Sequence, residues 1–169
     1  MEKTLKVINE MQSAGVIGRY AIGGAIAAIF YIEPFATRDI DGFIMLPQTR
    51  ALISLEPIYQ YLKSRGYQTI GDAVDTEGWP VQFLPAFNSL LEEALEAAND
   101  IDYGKTPTRI FTAEHLIAVM VQTRRPKDIA RVRAFQEQCS AIDQERLEMI
   151  LARHNLLDKW YSIIRTKDF

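Results

Sequence analysis

Thiols and imidazoles are scarce in this chain. One cysteine, Cys139, and two histidines, His115 and His154, are all that 169 residues contain. A single thiol closes no internal disulfide, and no Cys/His spacing of the zinc-binding type is present. Cys139 reads as a small apolar residue, buried or half-buried. Each histidine falls on an expected helix without a partner at ligand spacing, so both read as core-edge or surface residues. Net positive charge is lacking too. Lys and Arg number 19 against 22 Asp and Glu, a formal charge of −3. That balance argues against a dedicated nucleic-acid coat but leaves room for a local basic patch. Long hydrophobic runs are absent. The longest, over 22–32, is too short to cross a bilayer. The opening MEKTLKVINEM is an amphipathic charged segment rather than a signal peptide. Repeats, low-complexity tracts and long linkers are missing as well. The expected setting is reducing and cytoplasmic, with no membrane partner.

What is present suits a packed core. Hydrophobic residues are 48% and charged residues 24%, which excludes a disordered chain. Leu5, Val7, Ile8 and Met11 mark one face of a first helix that stops at Gly15. RYAI reads as a short strand, broken by Gly23 and Gly24. AIAAIFYI reads as a buried helix that must end before Pro34. DIDGFIML is a strand closed by Pro47. SLEPIYQYLKSRG is a helix with Ser54 as N-cap and Gly66 as its stop. YQTIGDAV and WPVQFLPAF are strands joined by a turn over 75–78. SLLEEALEAAN is helical, and DIDYGKTPTRIF is strand, turn, strand. From Thr112 the period is helical, with Thr112 and Asp143 as N-caps and Pro126 at a helix start. Trp79 and Trp160 read as core residues. The expected class is α+β: a mixed α/β front part over 1–111, and a helical part over 112–169 packed on it as one unit.

Two carboxylates inside DIDGFIML need a reason. Side chains alternate along a strand, so Asp39 and Asp41 share a face about 6–7 Å apart, while Ile40 points into the core. A divalent cation between them relieves their repulsion, and hard oxygen ligands select Mg²⁺ or Mn²⁺. Magnesium keeps water and phosphate oxygens as its other ligands, which invites a nucleoside triphosphate. Gly23 and Gly24 lie between a strand and a helix start. There the backbone can approach a phosphate closely, and free N–H groups favour an anion.

In that order, IGG followed by TRDIDGFI resembles the motif of the nucleotidyltransferase superfamily. The length and helical tail are similar to its minimal, AbiEii-like branch of abortive-infection or toxin-type proteins. The resemblance implies a nucleotidyltransferase-like mixed sheet with flanking helices and a C-terminal helical bundle. It implies transfer of a nucleotide from NTP to an RNA or protein acceptor, and a cognate antitoxin-like protein as a further partner. Asp39 and Asp41 would bind Mg²⁺ (or Mn²⁺) and carry the catalysis. Gly23 and Gly24 would cradle the β- and γ-phosphates, with Thr37 and Arg38 touching phosphate or acceptor. In QTRRPKDIARVR, the residues Arg125, Lys127 and Asp128 match a segment that contributes to the nucleotide site of toxin-type relatives. Lys127 would balance triphosphate charge, and Asp128 would orient Lys127 or contact base or ribose.

One position departs from the pattern. Polymerising members carry a third carboxylate on a later strand, and the matching position here holds Gln82. A neutral amide is a poor magnesium ligand and no general base. Asp75 and Glu77 could replace it only by folding back from their turn. Three readings follow: an active nucleotidyltransferase, an NTP-binding pseudoenzyme, and a toxin–antitoxin-type interaction module with vestigial acids.

Overall fold

The computed structural model describes residues 1–47 and 54–165. In chain order they form α1 (Glu2–Ser13), β1 (Tyr20–Ile22), α2 (Gly24–Ala28), β2 (Ile40–Ile44), α3 (Glu56–Ser64), β3 (Gln68–Ile70), β4 (Ala73–Thr76), β5 (Trp79–Pro85), α4 (Ser89–Glu96), β6 (Asn99–Tyr103), β7 (Thr106–Ile110), α5 (Ala113–Thr123), α6 (Pro126–Gln138), α7 (Gln144–Arg153) and α8 (Leu157–Arg165). The expected helical reading of the last four residues lies outside the described part.

The strands make one mixed sheet in the order β3-β4-β5-β2-β1-β7-β6. β2 runs antiparallel to β1 and parallel to β5, and β1 is parallel to β7. The central strands are the buried ones. Ala21 and Ile44 are fully covered, as are Ile40 and Val81, in keeping with parallel pairs that carry helices. Three two-residue loops join the outer antiparallel pairs. The third of them, Gly104–Lys105, joins β6 to β7, and Gly104 takes the positive φ such a loop needs.

The back part is α-helical, as its period requires. α5 is its axis, with Leu116, Ile117, Ala118 and Val121 nearly or fully buried. The Thr112 hydroxyl accepts from the His115 N–H at 3.3 Å, and the Asp143 carboxylate accepts from the Arg146 N–H at 3.0 Å. Losing such a cap costs about 1 kcal/mol. One apolar cluster runs from Leu5 and Ile40 through Phe111 to Trp160 and Ile163, so front and back parts share a core. Cys139 and Trp79 pack half-buried against it. Among the described residues no helix is long and apolar enough to cross a membrane.

Local expectations needed correction. YQTIGDAV is two strands, not one, because Gly71 and Asp72 form a two-residue turn with Gly71 at φ +59°. The next turn is only Glu77 and Gly78, both at positive φ, so Asp75 belongs to β4 opposite Pro80. The helix after the double glycine ends at Ala28. The turns that follow carry Tyr31 to the backbone carbonyl of Phe111 (2.9 Å) and against the ring of Phe135. Leu55 rather than Ser54 is the N-cap of α3, with Ser54 Oγ accepting from the Glu56 N–H at 3.3 Å. Asp39 stands one residue before β2 rather than within it.

Candidate functional site

The double glycine and the aspartates meet at the end of β1. The Gly23 N–H donates to the Asp41 backbone carbonyl at 2.9 Å. Gly24 has φ +56°, and a Cβ built on it would stand 1.8 Å from Asp41 Oδ2. A Cβ on Gly23 would enter the ring of Phe43 at 2.4 Å. Both glycines are therefore required by what packs on them, and Gly24 in particular by the Asp41 carboxylate. The first N–H groups of α2 have no intrahelical partner. At five residues, however, α2 carries little of the macrodipole that a longer helix would direct at an anion.

Asp41 is half-buried and Asp39 exposed. Burial pushes the Asp41 carboxyl above its usual range, and the neighbouring Asp39 pushes it further. Lys127, Arg125 and Arg131 pull in the opposite direction. Thr37 Oγ1 donates to Asp39 Oδ1 at 3.1 Å and so orients that carboxylate, while Arg38 points outward. Gln82 lies on β5 in register with Asp41 on β2, side by side in a parallel pair. Neither candidate stand-in folds back towards it. Glu77 accepts from the Tyr67 hydroxyl at 2.8 Å near the sheet's β3 edge, and Asp75 is held in β4.

The basic side of the site is built on a sharp break. Arg124 ends α5 in the left-handed region at φ +52°, and Pro126 starts α6. Asp128, with its side chain 1% exposed, organises the break. Its carboxylate accepts from Thr123 Oγ1 at 2.7 Å, from Arg125 Nε at 2.6 Å and from Arg125 Nη2 at 3.3 Å. It also pairs with Arg131 Nη1 at 3.7 Å. The hydrogen bond to Asp128 raises the Arg125 pKa, so that guanidinium is a permanent cation. Asp128 therefore orients Arg125 and Arg131 rather than Lys127. Lys127 is exposed at the same break. Arg131, absent from the expected set, is 9% exposed and lies over the ring of Phe35 at 5.9 Å. Its sequence signal was the i, i+4 spacing that puts it on one helix face with Lys127.

A cavity of about 280 Å³ joins these parts, with Gly24, Asp41, Gln82, Arg125, Asp128 and Arg131 at its polar end. Among the described residues no three His, Cys, Asp or Glu side chains are grouped to hold a metal ion. A protein-only metal cage therefore does not fit. The carboxylates that would share a magnesium ion with phosphate and water are Asp39 and Asp41.

A second acidic cluster had no counterpart in the sequence reading. Glu93 on α4 accepts from His154 at 2.7 Å and lies 3.3 Å from His115 Nε2, with Arg153 Nε at 3.4 Å. His115 Nδ1 meets Thr112 Oγ1 at 2.9 Å. Both histidines thus have partners, supplied by elements far apart in the chain.

No protein-family model and no curated protein matches the chain. Solved structures do. A nucleotidyltransferase-like protein from Paracoccidioides brasiliensis superposes with a TM-score of 0.56 at 13% identity, over 98% of this chain and 93% of that one. ANT(2")-Ia, in complex with adenylyl-2"-tobramycin, superposes with a TM-score of 0.52 at 16% identity, over 89% of this chain and 96% of that one. At such identities the likeness concerns architecture, and the architecture is that of the nucleotidyltransferase-like α+β fold.

Proposed function

We propose that the protein is a nucleotidyltransferase of the minimal AbiEii-like, toxin-type kind, which moves a nucleotide from NTP to an acceptor hydroxyl on RNA or protein. One observation carries the reading: Asp41, whose carboxylate packs against Gly24, lines one cavity together with Arg125 and Arg131. Cations and acids facing each other across a cavity suit a polyanion whose charge is shared with a metal. Arg125 and Lys127 would bind and orient the triphosphate, and Arg131 would stiffen that arm through Asp128. Gly23 and Gly24 would let the backbone lie against the phosphates, and Thr37 would hold the Asp39 carboxylate in place. Asp39 and Asp41 are the residues that would hold Mg²⁺ or Mn²⁺, which when bound supplies charge stabilisation at phosphoryl oxygens. A cognate antitoxin-like protein belongs to the same proposal. Incubation with each labelled NTP, Mg²⁺ and cell extract tests it. Labelled product that Asp41→Asn abolishes is expected; no product with any NTP would sink it.

Gln82 favours a second reading, NTP binding without turnover, since the amide in register with Asp41 cannot take a proton. It predicts thermal stabilisation by NTP with Mg²⁺ and no release of pyrophosphate.

A further inference from the structure

The two margins of the sheet are unlike. β3, at one end, is three residues long. β6, at the other, is five residues long and pairs with β7 without a bulge from Asn99 to Tyr103. Asn99, Asp100 and Asp102 are exposed, and the strand holds no proline. Short length, bulges, prolines and covering segments keep a free edge from pairing with another chain. Among the described residues β6 has none of these, and its carboxylates turn away only partners of like charge.

The register says which backbone groups are free. Gly104–Lys105 is a two-residue loop, so Tyr103 and Thr106 close the hairpin as a hydrogen-bonded pair. Bonded and non-bonded pairs alternate along an antiparallel ladder. Ile101 therefore bonds to Thr108, while Asp100 and Asp102 turn their N–H and C=O groups outward. Pro107 fits this phase, since it stands opposite Asp102 and has no N–H to give. The side chains of Asp100 and Asp102 share one face. Asp100 is 90% exposed, with Arg109 Nε at 3.3 Å. The rest of that guanidinium donates to the carbonyls of Tyr20, Glu96 and Ala98. Asp102 has no ion-pair partner among the described residues. On the opposite face Ile101 borders a groove of about 500 Å³, lined by Asn9 and Gln12 of α1 and by Thr108.

We propose that β6 is a docking edge for another protein, whose extended segment adds to the seven-stranded sheet and carries lysine or arginine at alternate positions. Cations two residues apart stand opposite Asp100 and Asp102, and the residue between them enters the groove beside Ile101. Charge disfavours two other occupants. A second copy pairing through its own β6 sets aspartates against aspartates, and nucleic acid brings phosphates to carboxylates. β1 and β7 lie between this edge and β2, so the proposal stands or falls apart from the nucleotidyl-transfer reading.

The test uses the full chain, isotope-labelled, and a capped seven-residue peptide that alternates lysine with valine, titrated by NMR. Saturable shifts confined to residues 99–103 and to Asn9 and Gln12 are expected. Amide exchange of Asp100 and Asp102, open in the free protein, should slow about tenfold in the complex. Asp100→Asn and Asp102→Asn together should weaken binding about fivefold and leave the melting temperature nearly unchanged. A peptide N-methylated on the backbone at each lysine keeps the charges but lacks the donors, and it should bind more weakly than the parent. So should a peptide with the same lysines grouped in one block. Equal binding of either control would overturn the proposal and leave only charge attraction. Absence of saturable binding, shifts at another part of the sheet, or tighter binding of a short RNA to this edge would overturn it as well. A dimer in sedimentation that the peptide dissociates would overturn it in favour of a second copy.

Discussion

Asp41 and Glu93 are both acids partly withdrawn from water, and the protein treats them in opposite ways. For Glu93 burial raises the carboxyl, but hydrogen bonds from His154 and His115, with Arg153 nearby, outweigh it and leave the group below its usual range. For Asp41 burial raises the carboxyl, Asp39 adds to the rise, and three cations only partly offset it. Glu93 is satisfied from within the fold, whereas Asp41 is left wanting positive charge. A fold tolerates such a deficit where a ligand makes it good.

That contrast can be broken most forcefully at Gln82. Gln82→Asp places a base beside Asp41, and transfer to alcohol acceptors should rise by about 10²–10⁴-fold, measured as pyrophosphate release. Asp41→Asn should lower transfer by on the order of 10²-fold or more. Yet it should raise the melting temperature of metal-free protein, because the amide carries no charge to bury. A lower melting temperature would contradict the account of Asp41 given above. Asp128→Ala strands the buried Arg131 and should cost about 3–5 kcal/mol in denaturant unfolding, along with NTP binding. Glu93→Gln should cost about 1–3 kcal/mol in the same measurement and leave NTP-induced stabilisation intact.

The smallest effects are those of pH, and they differ in sign. The folded-state pKa of Asp41 is raised, so its contribution is full below the ordinary value of 3.8 and is lost as pH rises through the folded value. Glu93 is depressed, so its contribution is present above 4.5 and lost as pH falls through the folded value. His115 is pushed below 6.5 by burial, against the pull of Glu93. Its contribution is therefore present above 6.5 and lost on acidification. Melting temperature against pH should lose, in Asp41→Asn, the decline that sets in as pH rises above 3.8 and, in Glu93→Gln, part of the decline as pH falls below 4.5.

How much of this could be read beforehand depended on distance along the chain. Gly23, Gly24 and the aspartates lie within twenty residues of one another, and a strand–turn–helix–strand pattern places them together. Gln82 was placed at the third-acid position by motif order, and the β2–β5 register sets it side by side with Asp41. The β3–β4 hairpin was missed because Gly71–Asp72 was passed over as turn chemistry inside YQTIGDAV, whereas the β6–β7 hairpin was read as strand, turn, strand. Asp128 is a harder case. Its neighbour in sequence, Lys127, looked like its partner, but a helix turns about 100° per residue, so the partners came from Thr123, Arg125 and Arg131. The Glu93 cluster gave no signal at all. Its members come from α4, α5 and the end of α7, and only tertiary packing assembles them.

One feature of the sheet bears on how the chain acquires its form. β1 is flanked by β2, made soon after it, and by β7, made after five further strands. Until β7 arrives, β1 presents an unpaired backbone edge, and Phe43 lacks the ring of Phe111 that later packs 4.8 Å away. During synthesis the nascent front part is thus an open sheet with a sticky margin. Its closure waits on a contact of long sequence separation, a step that is slow and exposed to misassociation.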